Sequence, residues 1–560
     1  MKFDLMKGRR VIVRAAIGAL LPVTLLATAS NADSTTPAVT TLTAPAIPGV
    51  AAMPFTGITA APATVSPTMG NLTLTPYSGV EGTPFTIAGA GLPANTNVTL
   101  TWSTAKVSWN VDAEPNTVNY LGRAQSNLNV VLTTITTDAS GAFSYKTTVP
   151  VDFGGTHDIY AVVNGVYVLH GGFEVFRTLT VTPKSGPIGT PITITYTGIG
   201  ASLYTGGGSV LWDNHFTGEV MANWTRGTAS VTIRAAGPLG RHLIQVGDGI
   251  GVLYMNIIQS PVPYANGDSA TFTTTKGHLN LTPSIVWPVS VTPTISQVTT
   301  LSNAGLDPAS KAVATLSTAS GPVLSKTNVS VTGLTGTGTD QLVWSTVVGS
   351  RVNCPTSSCW AFQSVNLGSA PVVNGALSAS VTIPDGLGGW HVIQVVNGSS
   401  IEAQVPFYVK ESMIPFYNKA GKLISMGIAT STKSTSADAL AAGQSGVGTY
   451  TFKQGQEFTI NLKGVGWTQL DNTLAVDYDN SFIGYGCGFN SQGYTVIHLF
   501  ATGGVGTHII DLYPQLYTNQ PSFANTPYGM LPVLSYARDF PGLALGYQVP
   551  SFRFAITIVK

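Results

Sequence analysis

Four of the eight histidines share one setting, G-x-H-x-I: Gly155-Thr156-His157-Asp158-Ile159, Gly240-Arg241-His242-Leu243-Ile244, Gly389-Trp390-His391-Val392-Ile393 and Gly506-Thr507-His508-Ile509-Ile510. Imidazole titrates near neutral pH and ligates metals, so a repeated histidine is first a candidate proton carrier or metal ligand. His242 and His508 each lie 29 residues after an aspartate, in Asp213-Asn214-His215-Phe216-Thr217-Gly218 and Asp479-Asn480-Ser481-Phe482-Ile483-Gly484. The equal spacing allows an Asp–His contact inside one domain and makes Asp213, Asn214, Asp479 and Asn480 weak candidates for a ligand or Ca2+ contact. Against this, one histidine per domain cannot hold a metal alone, and Asp-Asn before an aromatic and a glycine is a hairpin-turn sequence. Ser103 and Ser345 stand at the acid's place in the other two copies, so the fold does not require the acid. The four histidines are expected to be structural corners, each ring bonding a neighbouring loop as corner tyrosines do in β-sandwiches.

Other chemistry-bearing residues are sparse. Cys354 and Cys359, spaced C-x4-C, are expected to form a small disulfide loop, and Cys487 is expected to be a buried spectator thiol. Gly267-Asp268-Ser269-Ala270 resembles a serine-nucleophile block only superficially, without the strand–turn–helix setting such a block needs. Trp102, Trp109, Trp224 and Trp467 are weighed as sugar-stacking surfaces and read as core. No catalytic, cofactor-binding or metal residue is assigned, and no cofactor is expected.

Lys+Arg number 26 and Asp+Glu 25, a formal net charge of +1, and charged residues make up 9% of the 560. Ordinary globular chains carry about 25%. Without a basic surplus there is nothing to displace counterions from nucleic-acid phosphates. Hydrophobic residues at 44% supply core material that a disordered chain lacks. Lys2, Lys7, Arg9, Arg10 and Arg14, followed by an apolar stretch from Ala15 to Ala27 and small residues, read as a cleaved export signal. No later stretch is long enough to span a membrane as a helix.

These residues must be positioned by strands. Thr, Val and Leu alternate between Gly, Pro and Asn punctuation, with 433–446 the best helical candidate. A second repeated feature precedes each histidine: Trp102, Trp212, Trp344 and Tyr478 on an upstream strand. Copies two and four align without a gap at an offset of 266 residues, and seven of the shared positions are glycines. The expected organisation is a signal peptide at 1–32, a Pro/Ala/Thr-rich spacer at 33–69, domains at 70–177 and 178–260, and a linker at 261–288. A third domain at 289–410, a linker at 411–446 and a fourth domain at 447–560 complete it.

Leu72-Thr73-Leu74-Thr75-Pro76 leads to GVEGTPFTIAGAGLPANTNVTLTW, and Leu179-Thr180-Val181-Thr182-Pro183 leads to SGPIGTPITITYTGIG. These openings, with the hairpin Thr137-Asp138-Ala139-Ser140-Gly141-Ala142-Phe143, resemble the tandem immunoglobulin-like modules of bacterial surface proteins, near the IPT/TIG type. The resemblance implies an all-β chain of tandem Ig-like sandwiches in an extended string. The functional expectation is an exported, non-enzymatic cell-surface protein, structural or adhesive, that self-associates or meets other surface proteins or glycans. The alternatives are an extracellular carbohydrate-binding protein and a secreted hydrolase with Ig-like accessory domains.

Overall fold

The computed structural model describes residues 39–50, 53–114, 117–202, 205–249, 258, 268–293, 305–349, 360–429, 450–516 and 531–560. Strands dominate, and the one helical element among these residues is a short 3-10 turn at Pro541–Leu545. No helix among them is long and apolar enough to cross a membrane. Period-two patterning explains the strands. In Lys326–Thr332 the side chains of Thr327, Val329 and Val331 point inward while their neighbours face out.

Four sandwiches follow one plan, a small sheet packed on a larger one. The small sheets of the first three modules are Thr73–Thr75 with Pro84–Gly89 and Phe143–Thr148, Thr178–Thr182 with Pro191–Thr197 and Ala229–Arg234, and Val313–Leu316 with Lys326–Thr332 and Ala376–Thr382. In each module a short strand then crosses to the larger sheet and runs parallel to the module's last strand: Ser78–Gly79 on Val166–Val175, Ser185–Gly186 on Asp268–Thr274, Ser320–Gly321 on Ser400–Val409, and Tyr450–Lys453 on Ser551–Val559. This split first strand and the antiparallel order behind it are the immunoglobulin-type arrangement. The chain is all-β, built of tandem Ig-like sandwiches.

Several expected boundaries give way to strand pairing. Residues 33–69 are not a bare spacer: Val39–Thr41 pairs with Asn97–Glu114, Thr64–Asn71 pairs in parallel with Val166–Val175, and Leu42 and Ile47 are buried. Proline and alanine gave this segment a linker's composition, but Leu42, Ile47 and Phe55 anchor it; the Phe55 ring meets Trp102 edge-on at 5.6 Å. The expected linker 261–288 contains the closing strand of module two, Asp268–Thr274, and a strand, Ser284–Val286, that pairs with Ser551–Val559 of module four. Ser412–Met413 and Ile428–Ala429, inside the expected linker 411–446, pair with Glu457–Lys463 of module four. The helical candidate at 433–446 and the signal segment lie outside the described residues.

The modules dock in pairs. The Gly154 N–H of module one donates to the Ile199 carbonyl of module two (3.0 Å), and the Gly388 N–H of module three donates to the Val465 carbonyl of module four (3.0 Å). A Cβ on Gly154 would lie 1.8 Å from the Gly198 carbonyl oxygen, and one on Gly388 would lie 1.7 Å from that of Gly464. Gly198 and Gly464 are the same position of the repeat, so the duplicated unit is a docked pair of modules.

The string is not extended between modules two and four. Arg234 donates to both Asp511 carboxylate oxygens (2.6 and 3.2 Å) and to the Phe554 carbonyl (2.7 Å), while Arg553 donates to the Thr232 carbonyl (3.0 Å). Asp477 sits opposite Asp511 in this buried cluster, and burial together with the Asp511 charge holds its carboxyl well above the ordinary range. Residues 531–549, between the last two strands of module four, form a buried hub. The Met221 N–H of module two donates to Ser535 Oγ (3.0 Å), and the Gln548 N–H donates to the Tyr408 hydroxyl of module three (2.8 Å). Burying 531–549 among other modules removes more apolar surface from water than a string of separate sandwiches would.

Candidate functional site

All four repeated histidines occupy one geometry. Each ring lies against the aromatic of the upstream strand: His157 stacks on Trp102 (4.3 Å between centroids), His242 on Trp212 (4.9 Å) and His391 on Trp344 (4.6 Å), while His508 is tilted against Tyr478 (5.7 Å). Each Nε2 faces the carbonyl of the residue four positions earlier: Phe153 (2.7 Å), Pro238 (2.8 Å), Leu387 (3.0 Å) and Gly504 (2.7 Å). The partners of Nδ1 divide the modules. In modules two and four Nδ1 meets a carboxylate oxygen of Asp213 or Asp479 (both 2.6 Å), whose other oxygen accepts the Leu243 or Ile509 N–H (2.8 and 2.9 Å). In modules one and three it meets the backbone carbonyls of Ser103 (2.6 Å) and Ser345 (3.3 Å).

The electrostatics follow the partners. His391 is fully enclosed, and burial pushes its imidazole down to about 4 despite three backbone acceptors. For His508 burial opposes the charge, but the hydrogen bond and charge of Asp479, with the Gly504 carbonyl, outweigh it and raise the ring above its ordinary value. In modules two and four both ring nitrogens have partners, so neither Asp–His pair presents a free nitrogen to a nucleophile or a metal.

The Asp-Asn pairs are turns. Asp213 and Asn214 hold φ of 50° and 68°, and Asp479 and Asn480 hold 50° and 62°, the left-handed pair of a type I′ hairpin. Asn214 is exposed, whereas Asn480 is buried and donates to the Arg234 carbonyl of module two (2.8 Å), with its own carbonyl accepting from Thr217 (2.7 Å). Cys354 and Cys359 lie outside the described residues. Cys487 is exposed rather than buried, because it ends the strand Ser481–Cys487 on that strand's outward side. Asp268 and Ser269 lie within a closing strand, and Trp102, Trp109, Trp224 and Trp467 are all interior. Among the described residues no group of three His, Cys, Asp or Glu side chains could hold a metal.

Sequence reasoning missed a cavity of about 290 Å³ where modules one and two meet the hub. Glu81 and Val151 of module one, Thr225 and Arg226 of module two, and Ser535, Arg538 and Asp539 of the hub line it. Arg226 is fixed by Asp152 Oδ1 (2.7 Å) and Thr104 (2.9 Å), and Asp539 accepts the Asn223 N–H. Burial raises the Asp539 carboxyl to about 6 and the Glu81 carboxyl to about 7. No motif announces this site, since its groups come from segments hundreds of residues apart and meet only through the docking of modules.

No family model matches the chain, and no curated protein matches it. Among solved structures it is similar to invasin, titled a bacterial integrin-binding protein, at 12% identity, covering 87% of this chain and 79% of that one with a TM-score of 0.16. It is similar to a four-domain ectodomain fragment of ICAM-5 at 10% identity, covering 87% of this chain and 99% of that one, also with a TM-score of 0.16. A Salmonella alpha-2-macroglobulin mutant matches at 10% identity and a TM-score of 0.16 over 86% of this chain, which spans 30% of that protein's length. The fold assignment rests on the strand pairing described above.

Proposed function

We propose that this chain is an exported cell-surface protein with a non-enzymatic, structural or adhesive role, acting through the interfaces of its Ig-like modules. The observation that carries the reading is an unguarded sheet edge. Trp360–Val372 of module three ends its sheet, paired on one side only with Gly338–Gly349 among the described residues. It has no charged side chain, and its single proline, Pro371, stands next to its end. Charges, prolines and covering segments are how sheets ordinarily prevent edge-to-edge pairing.

The corresponding edges of modules one and two are covered from within, while in module four Ser481–Cys487 ends its sheet paired on one side only with Thr473–Tyr478 among the described residues. In module two the Glu219 N–H donates to the Pro532 carbonyl and the Leu534 N–H to the Glu219 carbonyl (both 2.8 Å). In module one, residues 58–60 cross the strand Thr117–Thr136, with the Ala60 N–H donating to Asn129 and the Val131 N–H to Ile58 (both 2.8 Å). Module three thus offers backbone donors and acceptors to a neighbour, and a net charge of +1 gives little repulsion between copies. The hydrolase alternative has less support, because the Asp–His pairs are saturated by their own modules.

Labelling of intact cells that express a tagged chain tests the reading. Surface labelling in ordered or clustered arrays is expected; a tag reachable only after lysis would contradict it.

A further inference from the structure

Each module builds the same hairpin beside its repeated aromatic, with a shift of register just before that residue. The outer strands of these hairpins are Thr117–Thr136, His215–Met221, Trp360–Val372 and Ser481–Cys487. In modules one and two the outer strand takes on a further segment from within the chain: Thr59 bridges Val130 antiparallel, and Val533 bridges Glu219 in parallel. The added segments, Ile58-Thr59-Ala60 and Pro532-Val533-Leu534, carry no charge and include β-branched residues. The equivalent strands of modules three and four are paired on one side only among the described residues. Ser481–Cys487 is likewise uncharged and lacks proline, and it turns Ile483 (52% exposed), Tyr485 (46% exposed) and Cys487 outward. Its start already belongs to an interface. Asn480 is bonded to Arg234 and Thr217 of module two, and Phe482 meets Phe216 edge-on at 6.4 Å.

We propose that the open edge of module three takes up Ser481–Cys487 of a second copy of the chain as its added strand. The inference rests on the assembly reading and names the partner of that edge. The seven residues of the module-four strand fit within the thirteen of Trp360–Val372. Neither strand carries a charge, so no like charges oppose each other across the joint. Ser481–Cys487 is held at its start by module two, so little freedom is lost when a neighbour pairs with it. Module three pairing with its own counterpart would close as a two-fold dimer and leave Ile483 and Tyr485 in water. Pairing of the unlike edges covers both, and because it joins different surfaces of the two copies it continues from copy to copy.

The test is light scattering of the full tag-free mature chain as the natural sequence, as Asn366→Lys, as Ile483→Lys, and as an equal mixture of the two variants. Each variant keeps one open edge and has a charge on the other. Each alone is expected to stay monomeric. The mixture is expected to form a particle of about twice the monomer mass that grows no further, since its two copies can make one joint only. Ile483→Lys, at an exposed position, should leave the unfolding temperature unchanged, and Cys487→Lys on the same outward row takes its place if it does not. An Ile483→Lys chain that assembles like the natural one while Asn366→Lys is monomeric would overturn this partner and leave the module-three reading standing. A mixture that stays monomeric would overturn it as well, and a natural chain that never assembles would overturn both.

Discussion

At the scale of single residues, one histidine position carries two opposite proton responses. His391 has a folded-state pKa of about 4 against about 6.5 unfolded, so its contribution to stability is complete above pH 6.5 and is lost as pH falls toward 4. The loss amounts to about 3 kcal/mol, and acid unfolding that begins in module three, followed by hydrogen exchange, is the expected observation. His508 behaves in reverse: its raised pKa gives stability that is complete below pH 6.5 and is lost as pH rises through the folded value. His508→Ala should destabilise module four by about 1–3 kcal/mol at pH 6 with no metal or ligand present, measured by denaturant unfolding. The equal Asp–His spacing in two copies made this contact legible in the sequence. The carbonyl partners of His157 and His391 were not legible, because a backbone acceptor leaves no mark on residue identity.

At the scale of elements, glycines record where backbones touch. The shared glycines at 189/455, 198/464, 227/493, 237/503 and 240/506 hold positive φ in both modules, which is why they stood out in the alignment. A Cβ on Gly503 would lie 2.4 Å from the His508 ring, so that glycine also makes room for the corner. Gly388 does different work. Gly388→Ala would force its Cβ onto the Gly464 carbonyl, and a loss of about 3 kcal/mol or more in the stability of the third and fourth modules is expected by calorimetry. The composition of 33–69 misled, since alternation and charge report poorly on a segment that contributes short strands and a few apolar anchors to another domain's sheet.

At the scale of the molecule, the repeat is a docked pair of modules used twice, closed by a hub that touches modules one, two and three. Strand content and module number could be read from periodicity and glycine spacing; the return of module four onto module two could not, because Arg234, Asp511 and Asn480 carry no local signal of their partners. The edges of modules one and two are covered from within, and the free edge of module three is the surface proposed to meet a neighbour. Multi-angle light scattering of the tag-free mature chain at neutral pH, beside Asn366→Lys, tests the central claim most directly. The account predicts particles that grow with concentration for the natural sequence and a monomer for the lysine variant, whose charge guards the edge. A natural chain that stays strictly monomeric at all concentrations, or a lysine variant that assembles equally well, would contradict it.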